Sequence, residues 1–127
     1  MLAVTSRDLT IIRISGEIDA CNVDELTAQA RDIVPEGRAL VVDLAGVDFI
    51  AVAGLRALLA MNIECARCGT SWALIAGAAA TRLLRVGDPD HTLPVVGSAL
   101  EALLKIRQDV VGNRHLRAVT GRRVERH

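Results

Sequence analysis

Aromatic residues are nearly absent from the sequence, which narrows the partners it can recognise. Trp72 and Phe49 are the only two among 127 residues, and tyrosine is missing altogether. Proteins that bind single-stranded nucleic acid commonly stack the bases on aromatic side chains. We therefore expect no direct contact with nucleic acid.

Secretion signals and long apolar runs are also missing. The N-terminus lacks the basic start and apolar run of a signal peptide. Arg56 interrupts the longest apolar stretch before it reaches the roughly 20 residues that a membrane span needs. The three cysteines, Cys21, Cys65 and Cys68, are an odd number without a secretory signal, which is typical of reduced thiols. We expect a cytoplasmic protein that makes no membrane contact.

Charge is balanced over the whole chain but unevenly placed along it. Residues 105–127 carry seven basic and two acidic residues, a net charge of +5, which leaves −5 for residues 1–104. The C-terminal end also lacks sustained apolar periodicity. We predict one domain over residues 1–112, followed by a basic, disordered tail over 113–127.

The order of apolar patterns predicts an α/β domain with a mixed sheet. Short β-branched runs indicate four strands and an edge strand interrupted by Pro94, and helical spacing indicates about four helices between and after them. Leu100, Leu103 and Leu104 are expected to turn the last helix towards the core. The prediction is a sheet of four to five strands packed against these helices.

The stretch from Leu40 to Leu59 combines a strand, a tight loop and the start of a helix. Such loops are usually exposed for recognition. Ala51, Val52 and Ala53, however, carry no hydroxyl, carboxylate or imidazole group. No catalytic triad order, phosphate-cradling glycine loop or pair of catalytic carboxylates stands out elsewhere, so we expect a protein that is not an enzyme.

Three motifs carry a likeness to a known family. They read Gly16-Glu17-Ile18-Asp19, then Val41-Val42-Asp43-Leu44-Ala45-Gly46-Val47-Asp48-Phe49-Ile50, then Ala53-Gly54-Leu55. Together they resemble the STAS domain, a family that includes bacterial anti-sigma factor antagonists and the cytoplasmic domains of sulphate transporters. The likeness spans about residues 3–104 and implies a STAS-like fold.

The resemblance also shows a departure from the family pattern. In antagonists of this family the loop usually reads Asp-Ser-Ser-Gly or Asp-Ser/Thr-Ala-Gly, and an anti-sigma kinase phosphorylates the first hydroxyl residue after the aspartate. In this chain Ala51 stands at the aspartate position, Val52 at the phosphorylated position and Ala53 after it. Val52 cannot accept a phosphoryl group, so the usual serine switch is absent.

The resemblance implies an anti-sigma factor antagonist that binds a kinase-like anti-sigma factor and frees its sigma factor without a cofactor. The alternative it leaves open is a STAS subunit of an ABC-type lipid or solute transporter. The oligomeric state also stays open between monomer and weak dimer. The implied partner-binding residues are Asp19, Ala51, Val52, Ala53, Gly54, Leu55, Arg56, Gly77 and Ala78. For Asp19, capping of the following helix is an equally good interpretation.

The Cys65-Ala-Arg-Cys68 motif raises the question of metal or redox chemistry. Structural zinc needs about four ligands, and the remaining candidates (Cys21 and the three histidines) are scattered, so we predict no metal. Residues three apart share one helix face. Redox modulation through Cys65 and Cys68, or through Cys21, therefore stays open beside the simpler interpretation of small apolar residues at a helix end.

Overall fold

The computed structural model describes residues 2–5, 9–33 and 39–120, with side chains described within 9–32 and 39–109. Five strands and four helices follow one another in this part of the chain. Their bounds are β1 Leu2–Thr5, β2 Leu9–Ile18, α1 Val23–Ile33, β3 Ala39–Ile50, α2 Val52–Cys68, β4 Trp72–Ile75, α3 Gly77–Gly87, β5 Val95–Val96 and α4 Ala99–Thr120. The sequence Arg7-Asp8 between the first two strands also suits a hairpin turn, but these residues lie outside the described part of the chain.

The strands form one mixed sheet in the order β1-β2-β3-β4-β5. β1 runs antiparallel to β2, whereas β2, β3, β4 and β5 pair in parallel. The predicted fold class, a mixed sheet of four to five strands with about four helices, is confirmed. β5 lies at the edge of the sheet, as expected for a strand that follows Pro94, because proline has no N–H to donate to a further strand.

Helices cover both faces of the sheet, which explains the continuous apolar run in β3. Leu40, Val42 and Leu44 point to one face and join the larger core, to which α1, α2 and α3 contribute. Ala39 and Val41 point to the other face, where α4 packs. Successive side chains of a strand alternate between faces, so a strand covered on both sides is apolar throughout.

The predicted orientation of α4 is wrong. Ala102 and Ile106 face the sheet, while Leu100, Leu103 and Leu104 are exposed to solvent. Polar contacts near its start and at its middle fix the rotation of this helix. Ser98 Oγ accepts a hydrogen bond from Glu101 N at 3.2 Å, and Ser71 Oγ donates to Asp109 Oδ2 at 2.6 Å. The small residue Ala102 then permits close packing on the sheet.

α4 also extends further than predicted. It continues through Gly112 to Thr120, whereas the sequence predicted a disordered tail from residue 113, and residues 121–127 lie outside the described part of the chain. The segment contains no proline, and a helix that is already nucleated gains one hydrogen bond for each residue that it adds. A lack of amphipathic pattern therefore does not end it.

Candidate functional site

The loop between β3 and α2 is tied to the neighbouring strand by the backbone. Ala51 N donates to Ile18 O, the last residue of β2, at 2.8 Å. Ile18 and Ile50 are both buried in the core beneath the loop. This anchoring fixes where α2 begins at the carboxyl edge of the sheet.

No side chain caps the first turn of α2. Ala51 has an extended backbone with φ −79° and ψ 165°, and its carbonyl accepts from Gly54 N at 2.9 Å. The first turn also has no acidic residue. Val52 stands at the first helical position with 55% of its surface exposed. The loop therefore offers an apolar surface without an acceptor for a phosphoryl group.

Gly54 allows α2 to start directly on the sheet. A Cβ at this position would lie 2.7 Å from Ile50 Cγ1 and 3.0 Å from Ile18 Cγ2. Gly54 and the following Leu55 are both buried. These two predicted partner residues hold the loop in place from within, and neither residue is displayed on the surface.

A second glycine turn lies at the start of α3. Gly77 has φ +71°, and a Cβ there would lie 2.8 Å from Ala45 Cα and 2.9 Å from Leu44 O. β4 ends at Ile75 opposite Asp43, seven residues before β3 ends at Ile50, so the Gly77 turn packs against the middle of β3. Ala78 is exposed and Ala79 is buried. Gly77 therefore brings a small exposed residue to the carboxyl end of β4, beside Leu44 and Ala45.

Asp19 organises the turn between β2 and α1. Its Oδ1 accepts from Cys21 N at 2.9 Å and from Asn22 N at 3.1 Å, and its carbonyl accepts from Val23 N at 3.1 Å. Asn22 Oδ1 in turn accepts from Asp19 N at 2.9 Å. The helix-start role of Asp19 is confirmed, and its role as a partner contact stays a prediction. Within the described part of the chain, Asp19 Oδ2 has no hydrogen-bond partner.

Charged residues near this edge are few. Arg56 is exposed one turn into α2. Asp43 holds the chain as expected of a turn carboxylate, since its Oδ1 accepts from Ala45 N at 2.9 Å. Asp43 Oδ2 forms an ion pair with Arg13 Nε at 3.2 Å.

Phe49 is a surface residue that the sequence reasoning did not select. It is 53% exposed near the end of β3, one residue before the buried Ile50 and three before Val52. The exposure of Phe49 could have been predicted from the alternation of side chains along a strand. If Ile50 points into the core, Phe49 points to the opposite face. Phe49 therefore adds exposed apolar area close in the chain to the Val52 loop.

The cysteines differ in their surroundings. All three are free thiols; Cys21 and Cys68 are exposed, and Cys65 is buried. Burial, with smaller contributions from Cys68 and Glu64, raises the pKa of the Cys65 thiol to about 11. A thiol in this state is a poor nucleophile. The part of the chain with described residues contains no group of three or more histidine, cysteine or acidic residues that could hold a metal.

Comparisons with known proteins identify the family. The sequence model described as "Mlab, STAS domain" matches residues 2–97. The chain is 28% identical to Osmosensory protein A of Mycobacterium tuberculosis over 84% of its length and 70% of that protein. Helices long and apolar enough to cross a membrane are not found among the described residues.

Solved structures agree with this result. An anti-sigma factor antagonist from Mycobacterium paratuberculosis is 27% identical, with a TM-score of 0.74 over 84% of this chain and 92% of that one. A putative anti-sigma factor antagonist from Thermotoga maritima shares the fold at 17% identity, with a TM-score of 0.74 over 84% and 93% of the two chains. The chain belongs to the STAS domain family, and the solved structures that it resembles include anti-sigma factor antagonists.

Proposed function

We propose that this protein is a non-enzymatic anti-sigma factor antagonist in the cytoplasm. It binds an anti-sigma factor at the carboxyl edge of its sheet and thereby frees the sigma factor held by that protein. The observation that carries the proposal is the exposed, uncapped start of α2 at Val52, on a fold shared with anti-sigma factor antagonists. Association of this kind needs a complementary surface rather than a nucleophile.

The proposed contact surface combines apolar and small residues with two flanking charges. Phe49 and Val52 supply exposed apolar area, and the small residues let a partner backbone approach closely. The set consists of Asp19, Phe49, Ala51, Val52, Ala53, Arg56, Gly77 and Ala78, while Gly54 and Leu55 support it from within.

Binding should be independent of phosphorylation at this loop. A phosphate would add about −1.5 to −2 charge to a surface that becomes buried in the complex. Val52 removes the acceptor, so the surface stays competent whether or not its partner has kinase activity. The likeness to a solved anti-sigma factor antagonist supports this role over that of a transporter subunit.

The test is capture of partners with the purified full chain, followed by substitutions. Val52→Glu places a charge in the apolar surface, and we expect it to weaken binding of the captured anti-sigma factor by at least about tenfold. Ile63→Glu is the matched control, because Ile63 is an exposed apolar residue further along the same helix. Capture of an ATPase and a permease without an anti-sigma factor would overturn the proposal.

Phosphate transfer provides a second measurement. Incubation of the captured partner with labelled ATP should leave the wild-type loop unlabelled. Val52→Ser should become labelled if that partner is a kinase of the usual type. Phosphorylation of the wild-type chain at another residue, with loss of partner binding, contradicts the proposal.

Redox modulation of the same surface is the finer alternative. Cys21 is exposed two residues after Asp19 and Cys68 is exposed at the end of α2, whereas Cys65 is buried with a raised pKa. Oxidation would therefore begin at Cys21 or Cys68. Equal partner affinity with and without reductant, and unchanged behaviour of Cys21→Ser and Cys68→Ser, would remove this form of regulation.

A further inference from the structure

α4 presents an apolar stripe on the side that faces away from the sheet. Leu100, Leu103 and Leu104 are 66%, 44% and 49% exposed. Because an α-helix turns about 100° per residue, these leucines and Arg107 line one side of the helix. Ala102 and Ile106 occupy the opposite side, against the sheet. Exposed leucines at this spacing form the kind of stripe by which one helix packs on another.

The charges along α4 are complementary to those of an antiparallel copy. Glu101 lies at the beginning of the stripe, where its Oε2 accepts from Gly97 N at 2.8 Å, and Arg107 lies at the far end of the stripe; both residues are exposed. Lys105 is already engaged, since its Nζ lies 3.1 Å from Asp109 Oδ2. If two helices cross with Leu103 and Leu104 at the centre, Glu101 of each copy lies level with Arg107 of the other. Opposite charges that flank an apolar seam set the orientation of paired helices.

The distribution of charge over the whole chain favours the same arrangement. Residues 105–127 have a net charge of +5 and residues 1–104 have −5. Asp109 contacts Ser71 just before β4, so α4 has reached the amino edge of the sheet at that point, and its last eleven residues extend about 16 Å further. This extension contains Arg114 and Arg117 and no acidic residue. In an antiparallel pair, the extension of one copy runs past the start of α4 of the other copy.

We propose that the Leu100–Arg107 stripe of α4 is a docking surface for a second copy of this chain. Two copies pair their α4 helices antiparallel across a two-fold axis, which buries the three leucines and places Glu101 beside Arg107 of the second copy. A two-fold interface uses the same patch on both subunits, so the patch must be complementary to itself. An apolar centre with an acidic residue at one end and a basic residue at the other meets this requirement.

The dimer formed in this way is weak. Stable interfaces usually bury about 1,200–2,000 Å² in total, and three partly exposed leucines on one helix are a small apolar centre beside that. We expect dimerisation to depend on ionic strength because of the flanking charges. Val52 begins α2, which packs on the face of the sheet opposite α4, so substitutions at Val52 and at the α4 leucines test the two surfaces separately.

Sedimentation velocity of the full chain across a wide range of concentrations tests the proposal. The wild type should shift from monomer to dimer as concentration rises. Leu100→Glu and Leu103→Glu should stay monomeric while keeping the wild-type circular dichroism spectrum, because both leucines are exposed. Ile63→Glu is the control, since it adds the same charge at an exposed residue of α2 and should dimerise like the wild type.

A charge exchange tests the antiparallel arrangement. Arg107→Glu should weaken dimerisation by about tenfold, and Glu101→Arg combined with Arg107→Glu should recover part of that loss. Three results would overturn the proposal: a monomer at all concentrations, dimerisation of Leu100→Glu equal to that of the wild type, or a monomeric wild type that loses its anti-sigma partner on Leu100→Glu. The last result would assign the stripe to the partner instead.

Discussion

At the scale of single residues, two glycines with nearly the same backbone conformation meet very different surroundings. Gly77 and Gly69 have φ +71° and +69°. A Cβ on Gly77 would meet the backbone of β3, at Ala45 Cα and Leu44 O, whereas a Cβ on Gly69 would meet nothing within 4 Å. The pair therefore separates the cost of the left-handed conformation from the cost of close packing, and Gly77 is the one that shapes the candidate site.

Replacement of these glycines by alanine should give unequal losses of stability. Gly69→Ala should lower the free energy of unfolding by about 1 kcal/mol, the cost of a left-handed conformation for a residue with a Cβ. Gly77→Ala should lower it by about 2–4 kcal/mol, because the clash with backbone atoms adds to that cost. Urea unfolding of both variants measures the difference. Equal losses would show that the contact with β3 relaxes freely.

At the scale of elements, one carboxylate holds the connection from α3 to β5. Asp88 is buried, and it accepts from Thr92 Oγ1 at 2.6 Å, Thr92 N at 3.0 Å and Leu93 N at 3.1 Å. Burial by itself would raise the pKa of this carboxyl group. The hydrogen bonds from Thr92 and Leu93 outweigh burial and hold the pKa below its ordinary value. The charged form of Asp88 therefore stabilises the loop between α3 and β5. From the sequence, only the end of a helix could be predicted at this position.

The lowered pKa of Asp88 predicts a dependence of stability on pH. Because the folded pKa lies below the unfolded one, the contribution of Asp88 is complete above the ordinary carboxyl pKa and is lost as pH falls through the lowered value. Asp88→Asn should therefore cost about 1–3 kcal/mol near neutral pH and less in acid. Urea unfolding over a pH series checks this, with Asp90→Asn as an exposed control that should behave like the wild type.

At the scale of the whole molecule, the three thiols report on different degrees of opening. Cys21 and Cys68 are exposed in the folded protein. Cys65 lies in the main core, on the same face of α2 as Leu58 and Met61. Labelling of Cys65 requires the core to open, since burial both shields the thiol and raises its pKa to about 11. Its reactivity thus follows the stability of the fold.

Alkylation followed by mass spectrometry should show two fast thiols and one slow one. Cys21 and Cys68 should react in the native protein, and Cys65 should react only as fast as the core opens. Gly77→Ala should accelerate labelling of Cys65 more than Gly69→Ala, in proportion to the loss of stability. Equal labelling rates for all three thiols would contradict the buried position of Cys65.

The sequence predicted the parts of this fold that depend on local pattern. The apolar run of β3, the periodic face of α1 and the proline before β5 each report burial or edge position through side chains that are close in the chain. The family motifs also identified the loop at Val52 and the absence of a phosphate acceptor there. These features need no knowledge of distant contacts.

The sequence by itself determined the α/β class, the edge position of β5 and an apolar loop that lacks phosphorylation chemistry. Only the tertiary structure decided which side of α4 meets the sheet, since Ser98 and the Ser71–Asp109 hydrogen bond set its rotation and leave the leucines outside. It also decided that Gly54 and Leu55 are buried, while Phe49 is displayed. The physical reason is common to these cases: local pattern shows that a residue is apolar or small, but neighbours far along the chain decide whether it is covered.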